Sequence, residues 1–158
     1  MKPEELNGIV TERFAHYLRA NKLRATPERW EILKAVYELK GHFGYDDIER
    51  KVVKTNKFRV SRATIYNTID HLIRANLLVK HQFSGESCYE TVVGREPHMH
   101  VICTKCGTCT EVPCAEIPAE QFTGRKRMFD THWVGYLFGD CAKCYAQEKK
   151  AEKNKSNK

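Results

Sequence analysis

Cys103-Thr-Lys-Cys106 and Cys141-Ala-Lys-Cys144 form two Cys-x-x-Cys pairs with 34 residues between them. Each pair folds a tight turn that aims both sulfurs at one point, so the two together supply four thiolates for a tetrahedral Zn²⁺. A closed Cys₄ shell leaves no position for a substrate, so Cys103, Cys106, Cys141 and Cys144 read as ligands of a structural zinc. The interval exceeds ribbon spacing. It has room for a strand, a helix and a returning strand, and the metal is expected to staple the ends of a small α/β unit. Function must then lie elsewhere in the chain.

A length of 158 residues accommodates one ordinary domain or two small ones, and 41% apolar content supports packed cores. No segment approaches the run of about 18 apolar residues that reads as a membrane span. The opening Met-Lys-Pro-Glu-Glu-Leu lacks the apolar region of a signal peptide. A cytoplasmic location with no membrane partner is the expectation. In a reducing compartment, four cysteines at metal spacing read as zinc ligands rather than disulfides. Cys88, Cys109 and Cys114 stay unassigned between inert thiols and redox groups. Pro113-Cys114 reverses the Cys-Pro order of common haem-regulatory motifs, which disfavours haem.

The formal charge of +7 is unevenly spread. Residues 1–85 carry 16 Lys and Arg against 10 Asp and Glu, whereas residues 86–146 carry 6 against 8. Only the first half is therefore suited to a polyanion such as double-stranded DNA. Residues 147–158 carry 5 basic and 2 acidic groups without apolar periodicity, and the spacing predicts a basic, disordered tail. The expected division is a DNA-binding domain over 1–87, an α/β domain over 88–146 and that tail over 147–158.

Apolar residues at Leu6, Ile9, Val10, Phe14, Tyr17 and Leu18 have helical spacing. Thr26-Pro27-Glu28 opens a second helix that runs to Gly41, with Thr26 as cap and Pro27 in the first helical position. A third helix is predicted over 45–54, and Ser61 caps a fourth with Ile65, Ile69, Leu72 and Ile73 on its buried face. Residues 77–83 and 88–93 read as strands flanking a turn at 84–87. Helices followed by a β-hairpin make the winged helix-turn-helix pattern. The helix after Ser61 then enters the major groove and the hairpin forms the wing. Strands at 98–103, 108–112 and 133–138 with a helix around 118–129 complete a second, α/β domain.

On the reading helix, Tyr66 offers a ring for a thymine methyl and Asn67 a bidentate contact to adenine. Arg62 and Thr64 lie near its start, with Arg62 placed for a phosphate or a guanine. Arg24, Lys57 and Arg59 flank the motif as backbone contacts. Taken singly, each of these suits a solvated helix face equally well; as a set they favour DNA.

His98-Met99-His100 presents two imidazoles to one face of a strand. Glu90 at the end of the wing, Glu111 after the first knuckle and His42 between the second and third helices add donors. Such a His and carboxylate set suits Fe²⁺, Mn²⁺ or Zn²⁺ at five or six coordinates, unlike the closed Cys₄ site.

With these motifs in view, the chain resembles the ferric uptake regulator family of metal-responsive dimeric repressors over about residues 20–145. The resemblance is carried by Leu23-Arg-Ala-Thr-Pro-Glu-Arg29, Ser61-Arg-Ala-Thr-Ile-Tyr-Asn67, His98-Met-His-Val-Ile-Cys-Thr-Lys-Cys-Gly107 and Cys141-Ala-Lys-Cys144. It implies a homodimer on an operator, a regulatory metal held by His42, Glu90, His98, His100 and Glu111, and a base-contacting role for Tyr66. Arg24 matches the family's basic residue for the minor groove. Pro97 and Met99 replace residues that help many members bind a further metal, so that site is expected to be absent or weak. Asn67 is like the peroxide-sensing branch, whereas Glu111 stands where that branch uses Asp.

The function implied is a metal-dependent transcriptional repressor, not an enzyme, responsive first to Fe²⁺ and alternatively to Zn²⁺ or Mn²⁺. A peroxide sensor or a zinc sensor of the same family is the near alternative. A thiol-disulfide redox protein is the alternative of another class, and two Cys-x-x-Cys pairs are better explained by one zinc.

Overall fold

The computed structural model describes residues 2–55, 60–82, 87–116 and 131–156. They form two compact units, Met1–Arg95 and Glu96–Lys158. The boundary expected at 87/88 therefore moves to 95/96. The cause is the hairpin, whose second strand pairs along its length with the first and cannot belong to another unit.

The first unit contains α1 (Pro3–Ala20), α2 (Pro27–Tyr37), α3 (Tyr45–Thr55), α4 (Arg62–Arg74), β1 (Leu78–Gln82) and β2 (Ser87–Thr91). Helix α1 buries Val10, Phe14 and Leu18, one residue per turn along a single stripe. Thr26 occupies the cap position of α2, but its side chain bonds none of the helix N–H groups. The Glu28 carboxylate is held below its ordinary range by its own backbone N–H and then by the Thr26 hydroxyl. Helix α2 stops at Tyr37, short of the expected Gly41. Leu39 follows in a tight turn, its N–H bonded to Val36 O at 3.1 Å, while still packing on the core.

Ser61 caps α4 as its sequence indicates, its hydroxyl accepting the Thr64 N–H at 3.1 Å. Ile65, Thr68, Ile69 and Leu72 of α4 are buried. The helix closes on Asn76, at φ 56°, with Leu77 N bonded to Leu72 O at 2.9 Å and Asn76 N to Ile73 O at 3.0 Å. Asn tolerates this left-handed position, and the paired bonds satisfy the last carbonyls. One core joins the helices to the hairpin through Phe14, Ile32, Val36, Ile48, Ile65, Leu72, Leu77 and Leu78.

Strands β1 and β2 are antiparallel, from Leu78↔Thr91 to Gln82↔Ser87. Residues 83–86 of the expected turn lie outside the described residues. Phe43, just before α3, forms a bridge with Tyr89, with N···O distances of 3.1 and 2.8 Å. That bridge brings the segment carrying His42 alongside the strand carrying Glu90.

The second unit contains β3 (His98–Cys103), β4 (Cys109–Pro113), β5 (Gly135–Gly139) and α5 (Ala142–Ser156). Its sheet has the order β4-β3-β5, antiparallel on one side and parallel on the other. The helix expected at 118–129 falls outside the described residues. The tail does not follow its expectation, because α5 continues through residue 156. Its Ala, Gln, Lys and Glu residues are strong helix formers, and Lys149 pairs with Glu152 one turn on at 3.0 Å. Apolar periodicity was the wrong criterion for a helical segment whose residues 147–153 are exposed. Among the described residues, no helix is long and apolar enough to cross a membrane.

Candidate functional site

The four expected zinc ligands converge within the second unit. Cys103 ends β3, Cys106 closes a tight turn, and Cys141 and Cys144 stand at the start of α5. Their sulfurs all lie within 4.8 Å of one another. The first knuckle is closed by Gly107 N to Cys103 O at 2.9 Å, with Gly107 at φ 71°, a conformation side chains disfavour.

Cys141 donates its backbone N–H to Cys103 Sγ at 3.3 Å. The N–H groups of Cys141, Cys106 and Lys105 draw the Cys103 thiol down to about 6. The Thr108 hydroxyl and N–H lower Cys106, whereas Cys144, crowded by the sulfurs of Cys141 and Cys106, is pushed up to about 12. Thiolates this close need a cation among them, and N–H donors on sulfur are the outer support such a cation requires. This donor set fits Zn²⁺. Lys105 ties the knuckle to Glu148 of α5 and, at 3.6 Å, to Asp140 just before that helix.

A second cluster lies in the first unit. His42, His81 and Glu90 each offer a ligand atom, and these atoms lie within 4.8 Å of one another. The Nε2 atoms of His81 and His42 lie 3.1 and 3.4 Å from the same oxygen, Glu90 Oε2. The other oxygen, Oε1, accepts from Arg95 Nε at 2.9 Å. His81 and Glu90 are almost fully buried.

His81 was not among the residues expected from sequence. It pairs with Cys88 while Val79 pairs with Glu90, so strand alternation puts His81 and Glu90 on one face of the hairpin. That period-two relation was the signal available for it.

In the second unit, the rings of His98 and His100 meet edge to face, with 5.1 Å between centroids and 71° between planes. His98 Nδ1 lies 2.8 Å from Glu96 O and His100 Nδ1 lies 3.3 Å from Gly135 O. A carbonyl only accepts, so both Nδ1 atoms carry a proton, which orients each ring so that Nε2 is the atom suited to a metal. Glu111 pairs with His100 across the β3–β4 ladder, on the same face as the two histidines. At Gly135 an added Cβ would lie 2.8 Å from the Trp133 ring, so the strand carrying the His100 acceptor requires glycine there.

On α4, Arg62, Tyr66 and Asn67 are exposed, as expected of a reading face. Thr64 is half-buried and its hydroxyl is shared with Ser61 Oγ at 2.8 Å, so it serves the cap. Arg62 makes two bonds to Glu49 of α3, at 2.9 and 3.3 Å. Tyr66 is stacked on Tyr45, with centroids 4.0 Å apart and 11° between planes. Neither Glu49 nor Tyr45 was anticipated, because no spacing rule links α3 to α4. Arg24 is exposed beyond the end of α1, and Lys57 and Arg59 lie outside the described residues.

Known proteins place these features in a family. A model of the ferric uptake regulator family matches residues 20–132. The ferric uptake regulation protein of Neisseria meningitidis serogroup A is 31% identical over 154 residues, covering 93% of this chain and 99% of that protein. The Helicobacter pylori ferric uptake regulator shares the fold, with a TM-score of 0.64 and 23% identity over 92% of this chain and 97% of that one. A Campylobacter jejuni peroxide stress regulator superposes with a TM-score of 0.51 at 25% identity, covering 82% of this chain and 98% of that one. With its helical N-terminal unit, mixed sheet and Cys₄ cluster, the chain belongs to the ferric uptake regulator family of metal-responsive transcription regulators.

Proposed function

We propose that the chain is an iron-responsive repressor of metal-uptake genes that binds operator DNA as a homodimer. The observation that carries this reading is the convergence of His42 and His81 on one oxygen of buried Glu90. His98 and His100 add two imidazoles whose Nδ1 atoms are held by backbone acceptors. Nitrogen and carboxylate donors of this kind suit Fe²⁺ and leave Mn²⁺ and Zn²⁺ as competitors.

In this reading the regulatory ion takes ligands from His42, His81 and Glu90 of the first unit and from His98, His100 and Glu111 of the second. Such an ion supplies a positive centre that both ligand groups share. The first unit also carries the reading helix, so sharing one ion restricts the angle between reading heads. Restriction to the angle that spans successive major grooves raises operator affinity, because the metal-free ensemble visits that angle only part of the time. Tyr66 and Asn67 then read base edges, while Arg24, Lys57 and Arg59 contact phosphates or the minor groove.

Dimerisation is supported by β5, which lies at the edge of the sheet among the described residues and exposes Tyr136, Leu137 and Phe138 at 41, 55 and 61% of their surfaces. Adjacent apolar exposure of this size suits burial against a second copy. Zinc at the Cys₄ site would hold the sheet and α5 together for that purpose.

The test is operator binding by the zinc-loaded protein under anaerobic titration with Fe²⁺, Mn²⁺ and Zn²⁺, together with metal analysis as purified. Tight specific binding first reached with Fe²⁺ supports the iron reading, and activation by Zn²⁺ alone replaces it with zinc sensing. A peroxide-sensing role is favoured by Asn67 and by the likeness to the C. jejuni peroxide stress regulator. Gain of one oxygen atom on peptides containing His42 or His98 after peroxide treatment of the Fe²⁺ form distinguishes it. A labile disulfide without zinc would instead favour a redox protein.

A further inference from the structure

We infer that Arg95 is a resident cation that sets the metal-binding threshold of the His42, His81 and Glu90 cluster. The inference rests on the regulatory reading of that cluster.

Glu90 is 3% exposed, and its two oxygens are divided between different partners. Oε2 faces the Nε2 atoms of His81 and His42 at 3.1 and 3.4 Å, while Oε1 is bonded to the guanidinium of Arg95 at 2.9 Å. A carboxylate as deeply buried as Glu90 is costly unless a positive charge compensates it. A guanidinium stays charged at any working pH, so Arg95 provides that charge in the metal-free protein.

Two consequences follow for a divalent ion. Glu90 presents Oε2 to it and keeps Oε1 for Arg95, so the carboxylate binds through one oxygen. The ion also enters beside a fixed positive charge on the far side of the same carboxylate, and that repulsion lowers its affinity. Arg95 thus stabilises the metal-free fold and weakens the metal-loaded one. A device of this sign suits a sensor, which must release metal as its concentration falls. It stands three residues before His98, in the segment that ends the first unit.

The experiment compares Arg95→Gln and Arg95→Lys with the wild type, using full-length protein loaded with zinc at the Cys₄ site and Mn²⁺ as probe. Arg95→Gln should bind Mn²⁺ about tenfold or more tightly, because the repulsion is removed. Arg95→Lys, which keeps the charge, should stay near wild type. Metal-free Arg95→Gln should melt below the metal-free wild type, so that the rise in Tm on adding Mn²⁺ is larger in the variant. Weaker or unchanged Mn²⁺ binding in Arg95→Gln, or an equal fall in Tm with and without Mn²⁺, makes Arg95 a simple structural prop and overturns the inference.

If metal-free Arg95→Gln does not fold, Mn²⁺-dependent folding of that variant supports the inference, and failure to fold at saturating Mn²⁺ overturns it. Glu90→Gln separates the two levels of the argument. Wild-type Mn²⁺ affinity in that variant refutes the cluster as the regulatory site, and the role of Arg95 with it. Loss of Mn²⁺ binding there combined with wild-type affinity in Arg95→Gln refutes only the role of Arg95.

Discussion

His81 Nε2 lies 3.1 Å from Glu90 Oε2, across the face of a two-stranded hairpin. The contact is buried at both ends, and in the proposed reading it makes His81 a ligand of the regulatory ion. His81→Ala is expected to weaken regulatory-metal binding by about 10- to 100-fold, the scale for losing a ligand or its immediate support. Zinc at the Cys₄ site should be retained. Competition titration with a metal indicator on zinc-loaded protein measures this, and an unchanged affinity would remove His81 from the ligand set.

His42→Ala should separate sensing from folding. Bridge Phe43–Tyr89 ties the His42 segment to the hairpin, so the first unit keeps its fold without the imidazole. A metal held equally well in all arrangements shifts none of them, and operator affinity should become nearly independent of metal and stay low. Affinity with and without saturating Fe²⁺ at fixed salt decides the matter. Retention of the wild-type ratio would show that the sensing ligands lie elsewhere.

Tyr66→Ala should weaken specific DNA binding by about 1–3 kcal/mol while leaving metal affinity unchanged. Arg24→Ala should lower affinity with less change in base preference and reduce the salt dependence by about one counterion. Equal loss of sequence discrimination in both variants would show their roles to be misassigned.

Glu49→Gln should act in the opposite direction. Arg62 spends two hydrogen bonds on Glu49, which also raises the guanidinium's proton affinity. Freeing that charge should strengthen binding to nonspecific DNA and steepen its salt dependence by about one counterion. A slope equal to wild type would mean that Arg62 already releases Glu49 when DNA binds.

Cys103→Ser should lose structural zinc and the dimer together, because binding energy at a structural site is partly folding energy. A soluble dimer retaining full zinc would sink the structural assignment. Acid should act through the same sulfur. Backbone N–H groups hold Cys103 at about 6, below its ordinary value, so the thiolate's stabilisation is complete above the unfolded thiol's range and is lost as pH falls through about 6. Zn²⁺ competes with protons for this sulfur, so zinc affinity should weaken as pH falls, and an affinity independent of pH would contradict the thiolate assignment.

Local rules determined a large part of this protein. Cys-x-x-Cys spacing, the Ser61 cap, the stripe of Ile65, Ile69 and Leu72 and the His-x-His on one strand face all depend on residues a few positions apart, whose geometry the backbone period dictates. Other features depended on packing between elements distant in sequence. His81 joins Glu90 only through hairpin register, Glu49 and Tyr45 meet Arg62 and Tyr66 only where α3 packs against α4, and Arg95 finds Glu90 across a turn of the chain. Period two places His81 with Glu90 only once the hairpin register is fixed, and no periodicity encodes the α3–α4 pairings, which are chosen by which apolar stripes share one core. The boundary at Arg95 likewise came from the pairing of β2 with β1, whereas the helical 147–156 segment came from local helix propensity without burial.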